Sequence, residues 1–466
     1  MGKYDIFIIG KNLTAEKAAE AVGGEILCGD INAKIENVQF DSRAVGEGSL
    51  FVPIKGERVD AHRFIEDCLK KGASAALTEH DIPENTYGKV CIKVDNTLDA
   101  LQRLAAWYRS QFSLKLVGVT GSVGKTSTKE MIAAALSGGL DVMKTQGNKN
   151  SQIGMPCTMF DIKEENEAAV IEMGMSEFGE MDRLCDIAKP DIAVMTNIGK
   201  AHIENLKTQE NIMSEKFKIT KHFGKDSILF LNGDDRLLKT LHNKQKFKTV
   251  TFGFSADCSY RAENIRTEGF NTVFTLCRDG KTKEITIPAL GEHSVRNALA
   301  AIGAGEALGL DIEKIQKGLM TYKNAPMRQQ IYKLKGITLI DDSYNASPEA
   351  TIVSLDVLKS ISGGKSIAVL ADMLELGEQA ESEHYAVGKA LAEKGIDGLV
   401  AVGSLSENTA RGAADSGCIN VFTAKTNDEA YEKLEELISD GCTVLVKGSR
   451  GMHTEEVVKK LLSDYN

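Results

Sequence analysis

Short apolar runs that alternate with helical patterns restrict the fold of this chain more than any other feature. Runs of this kind, bounded by polar or glycine-rich turns, are typical of strands buried on both faces of a parallel sheet. In the middle of the chain these runs are LKLVGVT (114–120), AAVIEMG (168–174), DIAVMTNIG (191–199) and SILFLN (227–232). The segment NALAAIGAGEALGL (297–310) then reads as a helix rich in small residues that Gly309 closes. We therefore predict a mostly parallel sheet for the centre of the chain.

A second alternating set begins after a pause near residues 324–326. Its apolar runs are ITLIDD (337–342), SIAVLAD (366–372), GLVAVG (398–403) and CTVLVKG (442–448). This order predicts a Rossmann-like, doubly wound α/β domain. Residues 1–112 instead hold short β-rich segments and the amphipathic stretch HRFIEDCLKKGA, which predicts a small α/β domain. The 466 residues are thus predicted to form three α/β domains, over 1–112, 113–326 and 327–466.

The overall charge and the start of the chain disfavour several classes of protein. A formal net charge of -10 argues against a nucleic-acid partner, because phosphate backbones bind to basic surfaces. The start, MGKYDIFIIG, lacks the long apolar stretch of a signal peptide. No run reaches the roughly 18 apolar residues of a membrane span. We expect a soluble cytoplasmic protein with no nucleic acid and no membrane insertion, and a monomer by default.

The cysteines indicate the same compartment. There are nine, an odd number, without a CxxC pair and without zinc-like spacing to histidines. Scattered cysteines in apolar surroundings are typical of reduced core residues in a reducing cytosol.

A glycine-rich segment joins the run that ends at Thr120 to the next helical pattern. Glycines let the backbone wrap a phosphate group, and the following helix N-terminus offers unpaired N–H groups. Lys125 can reach the β- and γ-phosphates, and the Thr126 hydroxyl can hold Mg²⁺. Position 119 is Val, so the strict P-loop spacing gives way to a GxxGKT variant. The predicted ATP-binding loop comprises Thr120, Gly121, Ser122, Val123, Gly124, Lys125, Thr126 and Ser127.

A phosphate-binding loop by itself fits a kinase, a GTPase, a motor or a ligase. A GTPase would need an Asn-Lys-x-Asp string, and the nearest match, NKNS at 148–151, lacks the Asp. Glu172 ends its predicted strand, where a carboxylate is well placed for a second Mg²⁺ site. His202 follows the run DIAVMTNIG, and Lys216 lies in the helical string SEKFKIT. Taken one at a time, these three side chains are also compatible with solvated or structural roles.

Several strings, taken together and in order, resemble the Mur ligase family. In the second and third predicted domains they are TGSVGKTS (120–127), GNKNSQIGMP (147–156), IEMGM (171–175), TNIGKAHIE (196–204), GEHSVRNALAA (291–301), DDSYNASPEA (341–350), LADMLELGE (370–378) and LVKGSRGMHTE (445–455). In the first domain, Asp41-Ser42-Arg43 and LFVPIKGERVDAH (50–62) resemble the family's uridine-nucleotide-binding domain. The resemblance covers nearly the whole chain. Within the family, DDSYNASP combined with DMLELGE resembles the members that add D-alanyl-D-alanine.

The resemblance implies an ATP-dependent amide-bond ligase. Its substrates would be ATP, UDP-N-acetylmuramoyl-tripeptide and D-alanyl-D-alanine, its cofactor Mg²⁺, and its intermediate an acyl phosphate. The first domain would hold the UDP end, the second ATP and metal, and the third would bring the amine. Two alternatives stay open: a family member with a different incoming amine, and a P-loop NTPase that regulates a partner. The motifs do not specify which diamino acid is third in the tripeptide.

The resemblance also assigns roles to individual residues. The implied catalytic residues are Lys125, His202, Lys216 and Arg328, and the implied metal ligands are Thr126, Glu172, His202 and a carbamylated Lys216. Beyond the glycine-rich loop, the residues implied at ATP are Asn297, Arg328, Asp342 and Tyr344. The residues implied at the UDP-linked substrate are Ser42, Arg43, Lys55, His62, Asn148 and Asn150.

Four positions depart from the family pattern. They are Ala61 in the string DAH, Ser151, Ser347 and Phe217. Phe217 stands where a glycine usually follows the modified lysine, so carbamylation of Lys216 is a hypothesis. All four positions lie near expected substrates, so they bear on substrate detail more than on reaction class.

Overall fold

The computed structural model describes residues 7–56, 59–81 and 83–466. Residues 1–6, part of the predicted first domain, and residues 57–58 of the motif LFVPIKGERVDAH lie outside this description. Three sheets follow one another along the described part of the chain. In these ranges, none of the helices is both long and apolar enough to cross a membrane.

The first sheet has the strand order β1-β3-β4-β5-β6-β2. Strands β3 to β6 pair in parallel, and β1 and β2 pair antiparallel at the two edges. Its strands are β1 (Phe7–Thr14), β2 (Glu25–Cys28), β3 (Lys34–Gln39), β4 (Ser49–Phe51), β5 (Ala75–Thr78) and β6 (Val90–Lys93), and its helices are α1 (Ala15–Val22), α2 (Ile65–Lys70) and α3 (Thr97–Ser110). The predicted small α/β fold of this region is confirmed.

The central sheet has the order β15-β14-β13-β12-β11-β10-β7-β9-β8. Its strands are β7 (Lys115–Thr120), β8 (Val142–Lys144), β9 (Ala168–Glu172), β10 (Ile192–Met195), β11 (Ile228–Asn232), β12 (Lys248–Gly253), β13 (Tyr260–Glu268), β14 (Asn271–Arg278) and β15 (Lys281–Ile287). Its helices are α4 (Lys125–Leu136), α5 (Gly154–Met159), α6 (Glu180–Ala188), α7 (Ile203–Leu206), α8 (Gln209–Phe217), α9 (Glu292–Ala307) and α10 (Ile312–Leu319). Because β9, β7 and β10 are parallel neighbours, their carboxyl ends open at one edge of the sheet.

The far side of this sheet departs from the parallel pattern. Strands β13, β14 and β15 pair antiparallel, which the apolar runs do not reveal. Much of β13 is solvent-exposed, so it lacks the continuous apolar character of the parallel strands. Between β14 and β15, Asp279 and Gly280 have φ of 49° and 72°, the left-handed pair that a two-residue hairpin turn requires. Helix α9 begins five residues earlier than the predicted 297 because Glu292 to Arg296 are already helical.

The third sheet has the order β16-β17-β21-β18-β19-β20, parallel except for the β16–β17 pair. Its strands are β16 (Gln330–Leu334), β17 (Ile337–Asp342), β18 (Ser366–Ala371), β19 (Gly398–Val402), β20 (Asn420–Ala424) and β21 (Cys442–Lys447). Its helices are α11 (Pro348–Ile361), α12 (Ala380–Glu393), α13 (Ser406–Asp415), α14 (Asn427–Leu437) and α15 (Glu455–Asp464). Helices α11 to α13 contribute to one core cluster, and α14 and α15 to another. The predicted Rossmann-like doubly wound fold is confirmed.

The first and central domains share one hydrophobic core. Leu101 and Leu104 of α3 belong to the same buried cluster as Leu116 of β7 and Ile171 of β9. The Tyr108 hydroxyl of α3 also donates to the Ile162 carbonyl at 3.0 Å. The third domain forms two separate buried clusters, and Leu290 of the central domain joins one of them. Helix α3 thus fastens the first domain to the P-loop domain by apolar packing.

Candidate active site

The glycine-rich loop is fixed by the end of strand β10. The Thr196 hydroxyl donates to the Val123 carbonyl at 2.6 Å, and the Asn197 side chain accepts from the Val123 N–H at 2.8 Å. Gly121 has φ +152°, and a Cβ at this position would lie 1.9 Å from Thr196 Oγ1. Gly124, at φ +85°, leads into α4. The loop is therefore held in one shape by contacts that only glycine permits at position 121.

Lys125 begins α4 and turns back over this loop. Its ammonium donates to the carbonyls of Gly121 at 2.8 Å and Ser122 at 3.2 Å. Burial lowers the pKa of Lys125, and the nearby Glu172 carboxylate opposes that shift. Thr126 is only 6% exposed in the first turn of α4. Cation, hydroxyl and helix N-terminus together form a site suited to a polyphosphate.

Glu172 stands at the carboxyl end of β9 and is 1% exposed. Its backbone N–H donates to Thr145 Oγ1 at 3.0 Å, and Asn150 Nδ2 donates to its Oε1 at 2.6 Å. Its other oxygen, Oε2, is buried and has no hydrogen-bond partner among the described residues. A buried carboxylate oxygen without a donor is well suited to a cation.

Lys216 lies in the last turn of α8 and is fully buried. Within the described part of the chain, its Nζ has no hydrogen-bond partner. Burial, reinforced by the positive charge of Lys125, lowers the pKa of Lys216 well below its ordinary value. The adjacent Glu215 is occupied elsewhere, since its carboxylate accepts from the Gly179 and Met181 N–H groups. The Lys216 amine is thus buried near the P-loop lysine, in surroundings that disfavour its charged form.

His202 meets the third domain. It directly precedes α7 in a left-handed conformation (φ +64°), and its Nδ1 lies 3.3 Å from Glu375 Oε2. The contact with His202 lowers the pKa of Glu375. Two residues before His202, the backbone N–H of Lys200 donates to Glu349 at 3.3 Å. The side-chain ammonium of Lys200 pairs with Glu383. The turn after β10 is therefore covered by acidic side chains of the third domain.

The segment between the central and third domains carries Arg328. Its guanidinium carbon lies 4.2 Å above the Tyr344 ring, and the positive charge of Arg328 contributes to the lowered pKa of Lys125. The flanking residues Met327 and Gln329 have φ of +59° and +48°. Such conformations cost energy in residues other than glycine and persist only where surrounding contacts hold them, as the Gln329 N–H is held by Asp342.

Asp342, at the end of β17, is engaged inside the third domain. It accepts from Lys447 Nζ at 2.6 Å, from Ser354 Oγ at 2.6 Å and from the Gln329 N–H at 3.1 Å. Asn297, on α9, is also engaged, because its Oδ1 accepts from Thr128 Oγ1 of α4 at 2.8 Å. Both side chains hold their elements in place near the linker and the P-loop helix.

The residues predicted at the UDP-linked substrate fall into two groups. Asn150 reaches Glu172, whereas Asn148, Lys55 and Arg43 are exposed and Ser42 is half-buried. Arg43 pairs with Asp41, with Nη2 at 2.6 Å from Oδ2. His62 is buried, and both of its ring nitrogens are used, by Asp60 at 2.6 Å and by the Glu79 N–H at 3.3 Å.

Sequence reasoning missed several residues that the structure brings to this edge. Thr196 and Asn197 lie in the motif TNIGKAHIE. Their hydrogen bonds to the P-loop form only because β10 pairs with β7. Lys129 lies one helical turn after Lys125 and is fully buried. Its place in an ordinary helical pattern gave no indication of this burial. Glu375 was part of DMLELGE, and only the three-dimensional structure brings it to His202.

Matches to family models extend over all three domains. The model described as the Mur ligase family catalytic domain matches residues 34–109. The Mur ligase middle domain matches residues 119–305, and the Mur ligase glutamate ligase domain matches residues 327–450.

Individual relatives and solved structures are similar over most of the chain. UDP-N-acetylmuramoyl-tripeptide--D-alanyl-D-alanine ligase of Bacillus subtilis is 38% identical, over 92% of this chain and 93% of that protein. The enzyme of the same name from Escherichia coli is 33% identical, over 97% and 98%. A crystal structure of MurF from Acinetobacter baumannii superposes with a TM-score of 0.91 at 30% identity, covering 97% and 99%. MurF ligase from Thermotoga maritima in complex with ADP gives a TM-score of 0.83 at 30% identity, covering 92% and 97%. The chain belongs to the Mur ligase family.

Proposed function

We propose that this protein is an ATP-dependent ligase that joins D-alanyl-D-alanine to the C-terminal carboxylate of UDP-N-acetylmuramoyl-tripeptide. The products are the UDP-linked pentapeptide precursor of peptidoglycan, ADP and phosphate. One observation carries the proposal: the P-loop lysine, a buried strand-end carboxylate and a buried lysine with a lowered pKa lie at one edge of the central sheet, against the third domain. The names and extent of the similar proteins support this substrate pair.

Amide formation from a carboxylate and an amine is uphill in water, so the carboxylate must first be activated. In the proposed first step, the tripeptide carboxylate attacks the γ-phosphorus of ATP, and ADP leaves with the bond electrons. The amine of D-alanyl-D-alanine then attacks the acyl phosphate, and phosphate leaves from the tetrahedral intermediate as the amine loses its proton. Lys125 offsets the negative charge gathered between the two anions.

The chain's residues fit a divalent cation. The unpartnered, buried Oε2 of Glu172 and the hydroxyl of Thr126 are oxygen ligands of the type that Mg²⁺ prefers. His202 completes the proposed ligand set. When bound, Mg²⁺ would supply Lewis-acid stabilisation of phosphoryl oxygens.

We further propose that Lys216 is carbamylated. A neutral amine adds to CO₂, forming an N–C bond and releasing one proton, and the product is an oxygen ligand where a cation would otherwise stand. The lowered pKa of Lys216 and its unpartnered Nζ in the described structure favour that reaction.

A matched pair of variants tests this modification. Lys216→Ala should lose activity and lose the carbamate signal seen by NMR after exposure to ¹³CO₂. Lys221→Ala, which removes a partly exposed lysine paired with Asp186 at 2.8 Å, should keep both. Full activity of Lys216→Ala without any dependence on CO₂ would reject carbamylation.

The remaining site residues receive roles in binding. Asn297, Arg328, Asp342 and Tyr344 are proposed at ATP, where Arg328 already contributes positive charge near Lys125. The proposed contacts to the UDP-linked substrate are Ser42, Arg43, Lys55, His62, Asn148 and Asn150. Closure of the third domain would exclude water from the acyl phosphate, and the contacts of Glu349, Glu375 and Glu383 with the turn after β10 support such a closed arrangement. We also propose that the enzyme is cytoplasmic and acts as a monomer.

The decisive experiment measures phosphate release from ATP with UDP-N-acetylmuramoyl-tripeptide, with and without D-alanyl-D-alanine, and detects the product by mass. Release that needs both substrates and yields the UDP-linked pentapeptide is the expected result. Release with the tripeptide and another amine would keep the ligase reaction and change the incoming substrate. Release that ignores both would instead favour a P-loop NTPase that regulates a partner.

A further inference from the structure

A second lysine of the P-loop helix is buried without a role in the reaction described above. Lys129 lies four residues after Lys125, and this spacing places both side chains on one face of α4. Its side chain is fully buried. Lysine is almost never buried to this degree unless nearby charges compensate it.

The partners of Lys129 lie at the start of the metal-binding edge. Its Nζ donates to the Thr145 carbonyl at 2.7 Å and lies 2.9 Å from Glu130 Oε1. It also lies 4.0 Å from Glu172 Oε2, the carboxylate oxygen that has no hydrogen-bond partner in the described residues. Because Thr145 itself accepts from the Glu172 N–H, Lys129 ties both residues to the P-loop helix.

The balance of charge around Glu172 is unfavourable for a bare cation. Glu130 is shared with Lys144, whose ammonium pairs with its other oxygen. Glu172 therefore faces the positive charges of both Lys125 and Lys129. A divalent ion arriving alone is repelled by these lysines, whereas a polyphosphate brings enough negative charge to reverse the balance. At separations of a few ångströms, repulsion by a lysine weakens the affinity of the site for a divalent cation by at least about tenfold.

We propose that Lys129 is a positioning residue that acts as the internal counter-ion of Glu172 and makes cation binding at Glu172 depend on bound nucleotide. The proposal rests on the cation site given under the proposed function. Lys129 neutralises the buried carboxylate while the site holds no cation, and it keeps Glu172 and Thr145 in register with α4. Ordered binding follows, with nucleotide first and the Glu172 cation second.

The test is direct titration of the full chain with Mn²⁺, followed by electron paramagnetic resonance of the free ion, with and without a non-hydrolysable ATP analogue. Lys129→Gln keeps a donor for the Thr145 carbonyl but removes the charge. Without nucleotide, it should bind Mn²⁺ at least about tenfold more tightly than the wild type. Lys144→Gln, which leaves Glu130 to Lys129 alone, should tighten Mn²⁺ binding by less than Lys129→Gln does. Adding Glu172→Gln to Lys129→Gln should abolish the gain.

Unchanged or weaker Mn²⁺ binding by folded Lys129→Gln overturns the proposal. If that variant does not fold, the wild type and Glu172→Gln decide, each titrated with and without nucleotide because the nucleotide itself chelates Mn²⁺. The Mn²⁺ that the wild type binds in excess of Glu172→Gln supports the proposal if its affinity rises with nucleotide, and overturns the proposal if its affinity does not change. One further comparison distinguishes failure of the cation site from failure of the role proposed for Lys129. If the wild type with nucleotide binds no more Mn²⁺ than Glu172→Gln does, the cation site itself fails, whatever Lys129 does.

Discussion

Gly121→Ala tests whether the P-loop depends on its contact with strand β10. The new methyl group would lie 1.9 Å from Thr196 Oγ1, 3.1 Å from Thr196 Cβ and 3.2 Å from the Thr196 backbone nitrogen. Thr196 cannot simply rotate away, because its hydroxyl holds the Val123 carbonyl at 2.6 Å. Either the loop moves or this hydrogen bond breaks.

The structure sets the size of the effect. Forcing one methyl group into a packed site costs about 1–3 kcal/mol. Loss of the Thr196–Val123 hydrogen bond adds about 1 kcal/mol. If the loop must recover its shape to bind phosphate, the total of about 2–4 kcal/mol appears as roughly 30-fold to 1,000-fold weaker nucleotide binding.

Titration calorimetry with ADP measures this loss, and thermal melting shows whether the variant stays folded. Thr196→Ala alone should weaken binding about fivefold, the worth of one hydrogen bond. The double variant removes the closest clash, so it should bind ADP better than Gly121→Ala does. Wild-type affinity in Gly121→Ala, or a double variant whose losses simply add, would refute the steric argument.

Three further outcomes are expected. Lys125→Ala should lower kcat/KM by about a hundredfold or more, because it removes charge stabilisation of phosphoryl transfer, and near-normal turnover would contradict the ATP-site assignment. Glu375→Ala should lower kcat/KM by less than about fivefold in steady-state kinetics, since the Glu375 side chain is 69% exposed and ion pairs of exposed groups contribute little. A hundredfold loss would mean that Glu375 takes part in the reaction. Burial lowers the pKa of His293 to about 4. Between pH 6.5 and 4 the unfolded chain therefore binds a proton at His293 that the folded chain does not bind, and the free energy of unfolding of the wild type should decrease as the pH falls through this range. His293→Asn should flatten that part of the pH profile of the unfolding free energy by at most about 3 kcal/mol.

Local patterns predicted the elements that depend on short stretches of chain. The strand–glycine loop–helix at Thr120 to Lys125 needs only neighbouring residues, and Glu172 follows from the rule that parallel strands present their carboxyl ends at one edge. Four parallel strands in each of the central and third sheets were predicted for the same reason, since apolar runs indicate burial on both faces. The parallel strands β8, β12 and β20 were not predicted.

Long-range contacts could not be predicted from the same patterns. Lys129 is buried because Thr145 and Glu172, on other elements, meet it, and a lysine in a helical pattern is otherwise solvated. The antiparallel strands β13 to β15 were not predicted, because much of β13 is exposed and contains no continuous apolar run. The contact between His202 and Glu375 joins two domains whose relative placement leaves no local trace in the sequence.

The continuous core beneath helix α3 has a consequence for how the molecule melts. Side chains of the first domain and of one face of the P-loop sheet belong to one buried cluster, so neither can lose its packing without exposing the other. The third domain keeps its own clusters. Scanning calorimetry should therefore resolve two cooperative units rather than three, with the first two domains melting together. A heat-labile substitution in the first domain would then also unfold the P-loop site, although no residue of the first domain lies in that loop.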